Sequence, residues 1–185
     1  VEERGYGDCK ALTNYLEASL EAVGIRAHPV LIYRGMEPRP VQKDFPSSQF
    51  NHVVLAVPME RDTLWLENTD TTAPFGHVAA DIEDRYGLMV TPDGGELVRT
   101  PASEADDNQQ VRAATVTLDD AGNGTATIQT TYTGNQQDRV RRALTDESPR
   151  KRREWLRERI DVPSFDLRSV DFSALDAYRD TVDLP

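Results

Sequence analysis

The sequence predicts an α+β protein with antiparallel sheet in two regions. Three observations carry this. One amphipathic helix stands near the start, where apolar residues recur at spacings of three and four: Leu12, Tyr15, Leu16, Leu20 and Val23. Alternating segments joined by short turns then recur along the chain. Finally, the acidic, polar run 102–109 (ASEADDNQ) separates a mixed first region from a Thr- and Val-rich second one.

In the first region, the spacing predicts a helix over Lys10–Val23. Asp8 is the expected N-cap, and Gly24 the left-handed residue that stops the helix. Ile25–Tyr33 reads as a strand, with Pro29 arguing for an edge position or an irregular start. Residues 34–49 hold three prolines and form a loop of a length that usually carries function. Asn51–Val57 and Thr63–Asn68 form a hairpin around Pro58–Asp62. Residues 71–84 are a loop with a short helical turn. Tyr86–Val90 and Glu96–Arg99 flank Pro92-Asp93-Gly94-Gly95 as a second hairpin.

Residues 110–185 are expected to form a smaller β-rich accessory domain carrying one or two helices, with the sequence holding only part of it. Val111–Leu118 and Gly124–Tyr132 make its hairpin, and Gln136–Leu144 and Pro149–Ile160 its helices. Asp166–Phe172 is expected as one more strand. The arginines 139, 141, 142, 150, 152, 153, 157 and 159 alternate with acids, which predicts a solvated, salt-bridged surface.

Composition excludes several classes. A single cysteine, Cys9, forbids an intramolecular disulfide. With only His28, His52 and His77 beside it, there is no tetrahedral zinc set. Thirty-two carboxylates against 21 Lys and Arg give a net charge of −11, the wrong sign for a nucleic-acid binder. No apolar run is long enough to span a bilayer. Arg outnumbers Lys 18 to 3 and Asp outnumbers Glu 19 to 13, as in proteins of salt-rich habitats or GC-rich genomes. The sequence opens on Val1 without a signal peptide, and a preceding portion is expected to lie outside it.

Cys9 falls one residue past the expected N-cap. A helix start favours a thiolate, and its free N–H groups suit a developing oxyanion. A thiol nucleophile needs a base, and the base needs an orienting acceptor. His52 opens one strand of the first hairpin, and Glu67 lies near the end of the other. Turn parity decides the acceptor. If His52 opposes residue 67 or 69, Glu67 shares its face; if it opposes 68, Asn68 and Asp70 do. His28 and His77 read as surface or packing residues, and Trp65 as core. Tyr6 and Asn51 flank the nucleophile and the base and are candidate substrate-binding residues.

These segments resemble one family. Arg4-Gly5-Tyr6-Gly7-Asp8-Cys9-Lys10, with Val23-Gly24-Ile25 and Pro29-Val30-Leu31, is similar to the nucleophile segment of bacterial transglutaminase-like proteins. Phe50-Asn51-His52-Val53 with Ala56-Val57-Pro58 resembles their histidine strand. Trp65-Leu66-Glu67-Asn68-Thr69, followed by Pro74-Phe75-Gly76, resembles their acid segment. Gly94–Pro101 resembles the tail of the module, in the subgroup set between β-rich domains of unknown function.

The resemblance covers about residues 4–101 and implies a papain-like cysteine-protease core over residues 1–101. In it Cys9 is the nucleophile, His52 the base and Glu67 the acid, at a position where Asp is commoner; Asp70 is the rival. It implies peptidase or amidase hydrolysis of a protein or peptide substrate, without metal or organic cofactor and without a calcium loop. Protein cross-linking by the same first step is one alternative. A non-catalytic protein- or glycan-binding module of a larger envelope protein is another. The implied location is the periplasm or cell envelope.

Overall fold

The structure, a computed structural model, describes residues 1–45, 47–175 and 181–184, the last four and Ala174 by backbone alone. Pro46, in the expected loop, and 176–180 and 185, in the expected accessory domain, lie outside the described residues. The described chain is mixed helix and antiparallel sheet, in two compact units, Val1–Ser103 and Glu104–Pro185.

The first unit opens with α1 (Cys9–Ala22). Asp8 caps it: the Ala11 N–H donates to Asp8 Oδ1 at 2.8 Å. Gly24 ends it at φ +80°, a conformation in which a side chain is strained. Five strands follow: β1 (His28–Ile32), β2 (His52–Pro58), β3 (Thr63–Leu66), β4 (Tyr86–Thr91) and β5 (Gly94–Arg99). All pairings are antiparallel, in the order β3-β2-β1-β4-β5.

β1 is therefore central, not an edge. Pro29 is tolerated because it lies opposite Leu55 of β2, while the β4 pairing starts one residue later, at Val30. The missing proline N–H falls outside that second ladder. At the β1–β4 contact Gly87 leaves room for the Val30 side chain. A Cβ on Gly87 would stand 2.6 Å from Val30 Cγ1.

Each face of the sheet buries its own apolar set. On one side Ala27, Leu55, Val57 and Leu66 pack with Leu16 and Leu20 of α1. On the other, Val30, Ile32, Val54, Ala56 and Trp65 pack under Ala79 and Ile82. Burying each Val, Leu or Ile side chain of these sets contributes about 1.5–3 kcal/mol. The segment 71–84, expected as a loop with a short helical turn, thus packs Val78, Ala79 and Ile82 onto this face of the sheet. The 34–49 loop is pinned by its own contacts. Arg39 stacks on Tyr33, Lys43 on Tyr86, and the Gln42 backbone pairs with the Gln49 amide.

The second unit has β6 (Gln110–Leu118), β7 (Gly124–Thr133), α2 (Gly134–Leu144), α3 (Pro149–Arg157), a 3-10 turn (Ser173–Leu175) and β8 (Thr181–Leu184). The sheet order is β6-β7-β8. Tyr132, Val140, Leu144 and Leu175 form its core.

Two expectations fail here. Residues 166–172 are not a strand; the third strand is β8. Arg153 donates to the Leu167 carbonyl, Arg157 to that of the preceding Phe165 at 3.2 Å, and Phe172 packs on the core. Nor is the arginine cluster wholly solvated. Arg150–Glu154 and Lys151–Glu147 are exposed pairs. Arg141, however, is buried, donating to Gln137 Oε1 and to the Leu175 carbonyl, both at 3.1 Å. Arg152 donates to the carbonyls of Leu144 and Thr145, closing the end of α2.

Candidate active site

The register of the β2–β3 hairpin settles which acid meets His52. Leu55 opposes Leu66, and three further steps set His52 opposite Thr69. Glu67, two residues before Thr69, therefore shares the His52 face. The side chains meet: His52 Nε2 and Glu67 Oε2 are 2.7 Å apart. Both are nearly enclosed, with 7% and 4% of their side-chain surface exposed.

Glu67 has four donors. Oε1 accepts from the Thr69 N–H at 2.7 Å and the Thr69 hydroxyl at 2.6 Å. Oε2 accepts from His52 and from Arg34 Nη1, at 3.3 Å. Burial alone would push the Glu67 carboxyl up. The hydrogen bonds from His52 and Thr69 outweigh it, and the carboxyl lies below the ordinary glutamate value.

Arg34, just past β1, also gives Nε to Asp81 Oδ2 at 2.9 Å and Nη1 to the Thr69 hydroxyl at 3.1 Å. Burial would weaken its charge, but Asp81 and Glu67 more than offset that, so its guanidinium is held more firmly protonated than usual. Asp70 Oδ1 accepts from the Thr72 N–H and hydroxyl, and its charge also favours the charged Arg34 guanidinium.

Cys9 arrives from the other side of the sheet. The Thr13 hydroxyl lies 3.5 Å from the Val53 carbonyl and accepts from Asn68 Nδ2 at 3.0 Å. Leu16 and Leu20 continue along Leu55 and Val57. The helix thus descends β2 from its His52 end. Cys9, one turn before Thr13 on the same helix face, reaches about 6 Å beyond it, past the end of the strand. The thiol is half-buried.

Among the described residues no hydrogen bond joins the thiol to the His52 ring, and His52 Nδ1 has no partner. Of the first N–H groups of α1, Leu12 binds the Asp8 carbonyl and Ala11 its carboxylate. Those of Cys9 and Lys10 have no protein acceptor among the described residues.

The structure thus brings His52 and Glu67 together and sets Cys9 at the same end of β2. Tyr6 is exposed. Asn51 holds the Arg34 backbone instead: its Oδ1 accepts from the Arg34 N–H at 2.7 Å and its Nδ2 donates to the Arg34 carbonyl at 3.0 Å. His28 opens β1, and Trp65 is core.

Arg34, Thr69 and Asp81 escaped the sequence reading. Arg34 follows Ile32, which opposes His52, by two residues. Its alternation signal was present, but only the sheet order makes it readable. A cavity of about 620 Å³ lies at the far end of α1, lined by Glu17, Glu21, Arg26, His28 and Pro92 among others.

Among the described residues no helix is long and apolar enough to cross a membrane, and no three His, Cys, Asp or Glu side chains cluster as metal ligands would. No protein-family model, curated protein or solved structure matches the chain.

Proposed function

We propose that Val1–Ser103 is a transglutaminase-like module with a papain-like cysteine-protease core, hydrolysing amide bonds of a protein or peptide through Cys9, His52 and Glu67. The observation that carries this is the buried His52–Glu67 pair at 2.7 Å, on the strand end that α1 approaches with its only thiol. Glu67 takes Nε2, so Nδ1 is the nitrogen left to exchange protons.

His52 Nδ1 removes the thiol proton, and Sγ attacks the amide carbonyl carbon. The oxyanion that forms lies within the field of the Cys9 and Lys10 N–H groups. The proton passes from His52 to the departing amine as the C–N bond breaks, leaving a thioester. Water, deprotonated by His52, attacks the thioester and releases the acid and the thiol. An amine in place of water gives cross-linking.

A second reading has one observation in its favour: the thiol and the His52 ring are not hydrogen-bonded. On it, the module binds protein or glycan in a larger envelope protein without chemistry. Iodoacetamide labelling separates the two. Fast alkylation of Cys9 at neutral pH, lost in His52→Ala, supports the enzyme. Alkylation at the rate of a free thiol, unchanged in His52→Ala, removes it.

A further inference from the structure

We infer that Arg34 is a positioning residue of this site: braced by Asp81, its guanidinium holds the Glu67 carboxylate in the one orientation that orients His52. The inference rests on the proposed function for its catalytic meaning, but its geometry stands independently. Arg34 Nη1 reaches Glu67 Oε2, the same oxygen that meets His52 Nε2. The same Nη1 donates to the Thr69 hydroxyl, which itself donates to Glu67 Oε1. A ring of three residues therefore closes on both carboxylate oxygens. Rotating Glu67 away from His52 breaks at least two of these bonds.

Arg34 is itself fixed at three points. Asn51 takes both its backbone polar groups. Asp81 Oδ2 holds Nε, and the next residue, Gly35, donates its N–H to the Asp81 carbonyl at 3.0 Å. Asp81 Oδ1 is buried and has no hydrogen-bond partner among the described residues. Arg34 is then the cation that offsets this carboxylate, and neither can shift alone. Planarity matters too. A guanidinium reaches Asp81 with Nε and Glu67 with Nη1 at once, and a lysine ammonium offers only one charged centre. Without Arg34, two carboxylates face one another across the space it fills.

The test uses the full chain with ¹⁵N-histidine, whose only three histidines are His28, His52 and His77. The His52 Nε2–H resonance is assigned by its loss in His52→Ala. In the wild type it is expected downfield and slow to exchange. Arg34→Gln is expected to broaden or abolish it with the backbone amide spectrum otherwise kept, and to slow Cys9 alkylation about tenfold. Arg34→Lys is expected to restore part of both.

A resonance and an alkylation rate unchanged in Arg34→Gln overturn the inference. Should Arg34→Gln not fold, Asp81→Asn decides. Broadening of the same resonance supports the role, and an unaltered resonance overturns it. If His52→Ala leaves wild-type alkylation unchanged, the enzymatic reading falls, while the resonance still reports whether Arg34 holds Glu67 on His52.

Discussion

At the residue scale, Glu67 was the expected acid and Asp70 its rival, and the two differ in partners. Glu67 meets His52 and Asp70 meets Thr72. Glu67→Gln is therefore expected to slow Cys9 alkylation toward the His52→Ala rate, and Asp70→Asn to leave it within about twofold. Equal losses in both would contradict the assignment. The depressed Glu67 carboxyl also links stability to pH. Its contribution is full above the unfolded value near 4.5 and is lost as pH falls through the lower folded value. Glu67→Gln is expected to destabilise the first unit by about 3 kcal/mol at pH 7. That gap should narrow at pH 3, as read by Trp65 fluorescence in urea with Trp155→Phe as background. A gap independent of pH would count against the linkage. The place of Arg34 beside His52 becomes readable only with the sheet order, and that of Thr69 only once its N–H and hydroxyl are seen to close on Glu67 two residues back.

At the element scale, α1 was readable almost to the residue, since its cap, its apolar spacing and its glycine stop agree. Both hairpins of the first unit were readable for the same reason. The position of β1 was not. Pro29 signalled an edge, but proline forbids only the ladder that needs its N–H, and β4 pairs beyond it. Segment 71–84 lacked periodicity, so its burial of Ala79 and Ile82 could not be foreseen. The strand expected at 166–172 does not form; within it the Leu167 carbonyl accepts from Arg153 of α3 instead of from a neighbouring strand.

The cap of α1 gives a test at this scale. Asp8→Ala is expected to destabilise the helix by about 1 kcal/mol and fray the turn that holds Cys9. Alkylation should slow while far-ultraviolet circular dichroism barely changes. Thr13→Val removes the hydroxyl between Val53 and Asn68 and is expected to lower the urea midpoint, with a cost of about 1–2 kcal/mol. An unchanged midpoint would mean that the hydroxyl contributes nothing to docking.

For the whole molecule, charge is the feature composition made plain. A net charge of −11 repels itself, and salt screens that repulsion. The urea midpoint is expected to rise between low and high KCl. A constant midpoint would dismiss salt adaptation as the source of the Asp and Arg excess. The candidate site was half legible at this scale. Its three chemical groups stand in sequence order, but the approach of Cys9 and His52 from opposite faces of one sheet is a property of the assembled unit.

Asn51 holds both backbone polar groups of Arg34, so a side chain adds one more rung to the β1–β2 ladder. In deuterated solvent the Arg34 amide, although past the last residue of its strand, should exchange as slowly as a strand interior. Asn51→Ala would release it to loop-like exchange. One small amide thus sets how far the rigid part of the sheet extends toward the chemistry.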